Sequence, residues 1–179
     1  MVHAKGAGAH GYFISTKDMS AYTKASIYTG NNKKTKIFAR FSTIAGELGS
    51  PDLAVDARGF AIKHYTPDGN YDLLTLSGDV FPLHDPMKLA DFVHSNKKDP
   101  RTGLPDVCNR WDFTSHHPET LNENVRFWSD YGLTDGYVHT NWFAISTYKW
   151  VNSKGEVHFV RYHLITDQGL KLLTRDEQK

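Results

Sequence analysis

The apolar positions of this chain change period twice along its length. Residues 11–16, GYFIST, form a short aromatic and β-branched run. Residues 36–44, KIFARFSTI, alternate, so that Phe38, Arg40 and Ser42 share one face and Ile37, Ala39, Phe41 and Thr43 the other. Neither face is wholly apolar. Residues 59–66 and 71–77 predict two further strands, joined as a hairpin through Pro67-Asp68-Gly69-Asn70. From Asp85 the spacing becomes helical. Leu89, Phe92 and Val93 follow Asp85 as N-cap and Pro86 at the first position, which predicts a helix over 85–99. Leu121, Val125 and Trp128 predict a second over 117–132, with Gly132 as its C-terminal stop. Residues 143–152 and 157–166 then read as a pair of strands around the turn Ser153-Lys154-Gly155-Glu156. Pro100 to Pro105 reads as a loop.

The pattern is that of a β-rich α+β chain of about six strands with a helical excursion between the fourth and fifth. The strands end close to the C-terminus, so the sheet is expected to carry open edges and either to form a homo-oligomer through them or to be incomplete.

Composition narrows the function. A formal charge of +1 from scattered Lys, Arg, Asp and Glu gives no electrostatic footprint for nucleic acid or an anionic membrane, and leaves small neutral substrates open. One cysteine, Cys108, excludes an internal disulfide and a thiolate cluster. No apolar run approaches the roughly 20 residues that span a bilayer, and no targeting signal is found, which reads as an intracellular chain, cytoplasmic or peroxisomal.

The chain has ten histidines, yet none sits in a metalloprotease pattern, and His116-His117 and His158/His163 lack carboxylate or cysteine partners at ligand spacing. There is no G-x-S-x-G elbow. GAGAHG, residues 6–11, lacks the Lys-Ser/Thr ending of a phosphate loop and precedes a strand instead of a helix. His3 and Ser42 are more informative: an imidazole held by a hydroxyl from a neighbouring strand can shuttle a proton between the oxygens of a peroxide. Arg40, two residues before Ser42 and on its face, suits a carboxylate such as a haem propionate.

VHAKGAGAHGYF (2–13), RFSTIAGELGSPDLAVDARGFAIKHYTPDGN (40–70), DFVHSNKKDPRTGLPD (91–106), WSDYGLTDGYVHTN (128–141) and TDQGLK (166–171) resemble the haem catalases almost end to end. That resemblance implies an eight-stranded antiparallel β-barrel with a helical insertion between its halves. This chain would supply four strands (1–84), the insertion (85–132), then two strands and a tail (133–179). It also implies haem b as cofactor and hydrogen peroxide as substrate, decomposed to water and dioxygen. Residue by residue, His3 matches the distal histidine and Ser42 the serine that orients it. Val2 matches the valine over the haem, Arg40 the propionate-binding arginine, Gly59 a glycine of the haem-contacting strand, and Phe81 an aromatic beside the pocket.

The sequence also departs from the family. Leu76-Ser77-Gly78-Asp79 stands where relatives have Asn-Asn-Thr-Pro, whose first asparagine hydrogen-bonds peroxide, although a slip of one residue would let Ser77 serve in part. Leu89 replaces the aromatic that stacks on the haem, and Pro82 a second phenylalanine. The residues that contact NADPH in relatives fall on Asn122, Arg126, Tyr131 and Ile165, with Ser129 the one match, so NADPH is not expected. The tyrosine iron ligand and the last two strands of the family lie beyond the counterpart of Lys179, and neither Tyr148 nor Tyr162 sits in the ligand motif. The expectation is a truncated catalase core of impaired activity. Its alternative is a non-catalytic fragment acting as a weak haem-binding or assembly module.

Overall fold

Four strands follow one another and pair as neighbours: β1 (Gly6–Ser15), β2 (Lys33–Thr43), β3 (Arg58–Thr66) and β4 (Gly69–Leu76). This computed structural model describes residues 2–178. Three helices come next, α1 (Leu89–Ser95), α2 (Val107–His116) and α3 (Leu121–Trp128). The strands then resume as β5 (Trp142–Ala144), β6 (Tyr148–Val151), β7 (Val157–Val160) and β8 (His163–Leu164). The main sheet is an antiparallel half-barrel of six strands in the order β1-β2-β3-β4-β5-β8, and β6 and β7 form a separate two-stranded ribbon. The helical excursion lies between the fourth and fifth strands, as the change of period predicts.

Alternation decides which face is core. Ala39, Ile62, Leu73, Thr75 and Ala144 are buried on one side of the sheet, where Phe41 stacks on Phe60 at 4.5 Å and Trp142 leans on Phe60 at 5.3 Å. A second aromatic group fastens the ribbon beneath the sheet. Tyr28 packs on Trp150 at 4.6 Å, and the Tyr162 hydroxyl lies 2.6 Å from both Tyr71 Oη and Trp150 Nε1. Burial pushes the Tyr28 and Tyr162 phenols well above their ordinary range, so both are neutral.

Several local expectations need correction. β1 begins at Gly6, five residues before the aromatic run, because a ladder needs only backbone donors and acceptors and Gly6 pairs with Ser42 across it. The strand predicted over 143–152 is two strands: Ile145, Ser146 and Thr147 face the single residue Arg161, and this bulge turns the chain out of the main sheet into the ribbon. The first hairpin turns on Pro67 and Asp68 alone, since Thr66 pairs with Gly69, whose φ is +115°.

The first predicted helix is a single turn at Pro86–Lys88, capped by Asp85 as expected, followed by α1, which ends at Ser95. α2 was not anticipated. Its ten residues carry no apolar stripe, and its signal is Asp106, whose carboxylate caps Cys108 N. α3 stops before Ser129, and Gly132 is not a left-handed cap; a Cβ there would lie 2.1 Å from Phe127 O, so close approach requires the glycine. The stripe Leu121, Val125 and Trp128 is exposed. α3 instead buries Asn124, whose amide is paired with Arg110, Thr114 and Thr120 of its surroundings.

Candidate functional site

The register sets Gly6, Ser42, Gly59 and Leu76 side by side on four adjacent strands, and directly opposed residues point to the same face. That face is opposite the aromatic core. Ser42 is therefore the one polar side chain in this row, flanked by two glycines that leave a hollow around it. The His3 ring fills the hollow. Its Nδ1 lies 2.8 Å from Ser42 Oγ, and a Cβ added to Gly59 would come within 2.8 Å of His3 Cε1 and 3.0 Å of Ser42 Oγ.

The main chain of His3 is tied down at both ends. Its N–H donates to Ile44 O at 2.9 Å and its carbonyl accepts from Arg40 Nη2 at 2.8 Å. These bonds hold a non-glycine residue at φ +57°, in the left-handed region. Gly6 makes room for the Arg40 interaction, since a Cβ there would stand 2.4 Å from Phe41 O and 2.9 Å from Arg40 Nη2. Burial, then the Arg40 guanidinium, holds the His3 imidazole below its ordinary value of 6.5, while Asp56 pulls the other way. The ring is thus neutral at neutral pH. With Nδ1 engaged by Ser42, Nε2 is the nitrogen left for a ligand.

The next row on this face is Gly8, Arg40, Ala61 and Leu74. The Phe38 ring from the same face lies over Gly8, where a Cβ would come within 2.6 Å of its Cζ, and Leu74, at 44 % exposed, presents apolar surface in the row; Val2 is also exposed, at 43 %. Phe81 stands off this row, in the loop after β4, where it lines a cavity of about 120 Å³ together with Leu76, Val80, Phe127 and Phe143. Leu89 is the first residue of α1 and 40 % exposed. The structure thus brings together His3, Ser42, Arg40 and Gly59, with Val2 next to His3, and leaves Phe81 and Leu89 on separate elements.

The departures have definite positions. Leu76 is the neighbour of Gly59 in the row that holds Ser42. Ser77 lies one residue beyond that row, and its Oγ accepts from Arg58 N at 3.0 Å. Among the described residues no group of three or more His, Cys, Asp and Glu is placed to hold a metal ion, and no helix is long and apolar enough to cross a membrane. Asp56 was missed by the sequence reading.

The catalase family model matches residues 1–179. The chain belongs to the catalase family. It is 48 % identical to a catalase of Latilactobacillus sakei over 98 % of this chain and 37 % of that protein. It is 49 % identical to a catalase of Methanosarcina barkeri over 99 % of this chain and 35 % of the relative. Catalase A from Saccharomyces cerevisiae superposes with a TM-score of 0.95 at 38 % identity, covering 99 % of this chain and 37 % of the other. The chain thus spans a little over a third of the length of the catalases it matches.

Proposed function

We propose that this chain forms the peroxide-handling wall of a haem catalase, with His3 and Ser42 as its proton-transfer pair. The observation that carries this reading is the His3 ring seated on Gly59 with Nδ1 held by Ser42 Oγ and Nε2 left for substrate. The adjacent surface suits haem b: the Phe38 ring over Gly8 and the exposed Val2 and Leu74 offer apolar contact, and Arg40 keeps N–H groups beyond its bond to His3 O for a propionate. A bound haem would supply the redox chemistry that turns two peroxides into two waters and one dioxygen.

The chain's own part is the proton. With the Nδ1 proton donated to Ser42 Oγ, His3 Nε2 accepts a proton from one oxygen of peroxide and returns it to the other as the O–O bond breaks, so a poor leaving group departs as water. A neutral imidazole in the resting site is what this requires, and the lowered pKa of His3 provides it. Leu76 offers no donor to the substrate, and loss of one placed donor costs on the order of 10²-fold in rate, so turnover is slow beside that of a catalase with asparagine there. Asn122, Arg126, Tyr131 and Ile165 make NADPH a poor ligand for this chain.

The test is a haemin titration followed in the Soret region, with oxygen recorded after adding peroxide. Saturable binding, with oxygen release that disappears in His3→Ala, is the expected result. No saturable shift and no oxygen would overturn the reading in favour of a non-catalytic assembly module.

A further inference from the structure

The connection from β2 to β3 contains a buried carboxylate, two residues before β3, that the proton transfer does not use. Asp56, 9 % exposed, accepts hydrogen bonds from Ile44 N at 2.8 Å and Ala45 N at 2.9 Å, both through the one oxygen Oδ2. Ile44 is the residue whose carbonyl receives the His3 N–H at 2.9 Å. A chain of contacts therefore runs from the Asp56 carboxylate through a single peptide segment to the main chain of His3. At its far end Arg40 Nη2 holds the His3 carbonyl, and between these two points the residue sits at φ +57°.

A left-handed conformation at a non-glycine residue persists only where its surroundings over-determine it. Three contacts do so here: Ile44 O on the nitrogen, Arg40 on the carbonyl and Ser42 on the ring. Of the anchors, the Ile44 carbonyl belongs to a bend just past the end of the strand, where one longer backbone bond, Ile44 N to Ala57 O at 3.2 Å, is shared with the Asp56 carboxylate. Its position depends on what holds the bend, and there Asp56 supplies the shorter bond to Ile44 N and a further one to Ala45 N. We propose that Asp56 is a positioning residue for His3, bracing the Ile44–Ala45 backbone so that the imidazole stays over Gly59 and against Ser42. The inference rests on the reading of His3 as the proton-handling group. It adds that the group is set through the Ile44–Ala45 backbone by a carboxylate.

A brace and a charge are separable because one oxygen, Oδ2, accepts from both Ile44 N and Ala45 N, and Gly46 N–H also approaches the carboxylate. Asp56→Asn keeps an acceptor and removes the charge; Asp56→Ala removes both. The charged groups acting on the His3 ring are Asp56, which raises its pKa, and Arg40, which lowers it. The experiment is an NMR titration of the chain without haem or peroxide, following the His3 imidazole, assigned with His3→Gln, and using buried His64 on the opposite face as a reporter of folding. In Asp56→Ala the His3 resonance is expected to move to the free-imidazole shift with a midpoint near about 6.5, while His64 is unchanged. In Asp56→Asn the His3 shift should stay dispersed and its midpoint should fall below that of the parent chain.

An Asp56→Ala protein with both histidines unchanged overturns the proposal. Should that variant lose the His64 signal as well, Asp56→Asn decides: a dispersed shift with a lowered midpoint supports the brace, and a free-imidazole shift or an unmoved midpoint sinks it. Neither readout involves haem. Failure here leaves the catalase reading standing, and failure of the haemin titration leaves the brace standing.

Discussion

Gly59 and His3 occupy one volume: the space that a side chain at 59 would fill is taken by the His3 ring, 2.8 Å from where a Cβ would sit. Gly59→Ala therefore forces a choice between displacing the ring from Ser42 and straining the row of strands beneath it. Overpacking of this kind costs about 1–3 kcal/mol. The expected outcome is a lower urea midpoint together with loss of the dispersed His3 resonance. A variant with unchanged stability and an unchanged His3 signal would show that the hollow is not tight.

Ser42→Ala removes the partner of His3 Nδ1 from a position that is 3 % exposed. Loss of the bond should lower stability by about 1 kcal/mol. In a haem-loaded protein it should also slow oxygen evolution by less than His3→Ala, for which a loss of roughly 10²–10⁴-fold is expected. Oxygen-electrode rates on the two variants side by side check the order; equal losses would place the hydroxyl within the proton transfer itself.

Leu76→Asn restores an amide in the row that holds Ser42. Oxygen evolution should rise on the order of 10²-fold with haem bound, without a matching change in the Soret titration. A rate that stays flat would mean that an amide at residue 76 does not meet the substrate.

Two histidines tie stability to pH. His3 and His64 are both lowered from 6.5, each mainly by burial, and the Nδ1 of His64 donates to Tyr71 O at 2.9 Å in its neutral form. Because the unfolded chain takes up these protons at higher pH than the folded one, their contribution is complete above about 6.5 and is lost as pH falls through the folded-state values. Denaturant midpoints measured from about pH 7 down to about pH 5 should decline, and both imidazoles should titrate below free histidine. A midpoint for either at or above the free value would contradict the burial that lowers it.

Much of the fold is legible because local signals agree with one another. The alternation in KIFARFSTI sorts Ala39 and Phe41 from Arg40 and Ser42, and the structure buries Ala39 and puts Phe41 in the aromatic stack. Asp85 before Pro86 marks a helix start that the structure keeps. Where the sequence misleads, a long-range contact overrides the local pattern. Leu121 and Val125 have helical spacing but face outward, because α3 buries Asn124 against Thr114 and Arg110. α2 lacks a stripe altogether, so nothing periodic announces it.

The candidate site divides along the same line. Residue types and family resemblance are enough to pick out His3, Ser42, Arg40 and Gly59, since chemistry and motif are local properties of a chain. Their geometry is not local. Only antiparallel register sets Ser42 between Gly6 and Gly59, and only the long-range bonds of the His3 main chain to Ile44 O and Arg40 hold its ring over them. Asp56 was invisible for this reason: its importance lies in which backbone N–H groups it meets, and that is decided when distant segments pack, not by any pattern within the segment that contains it.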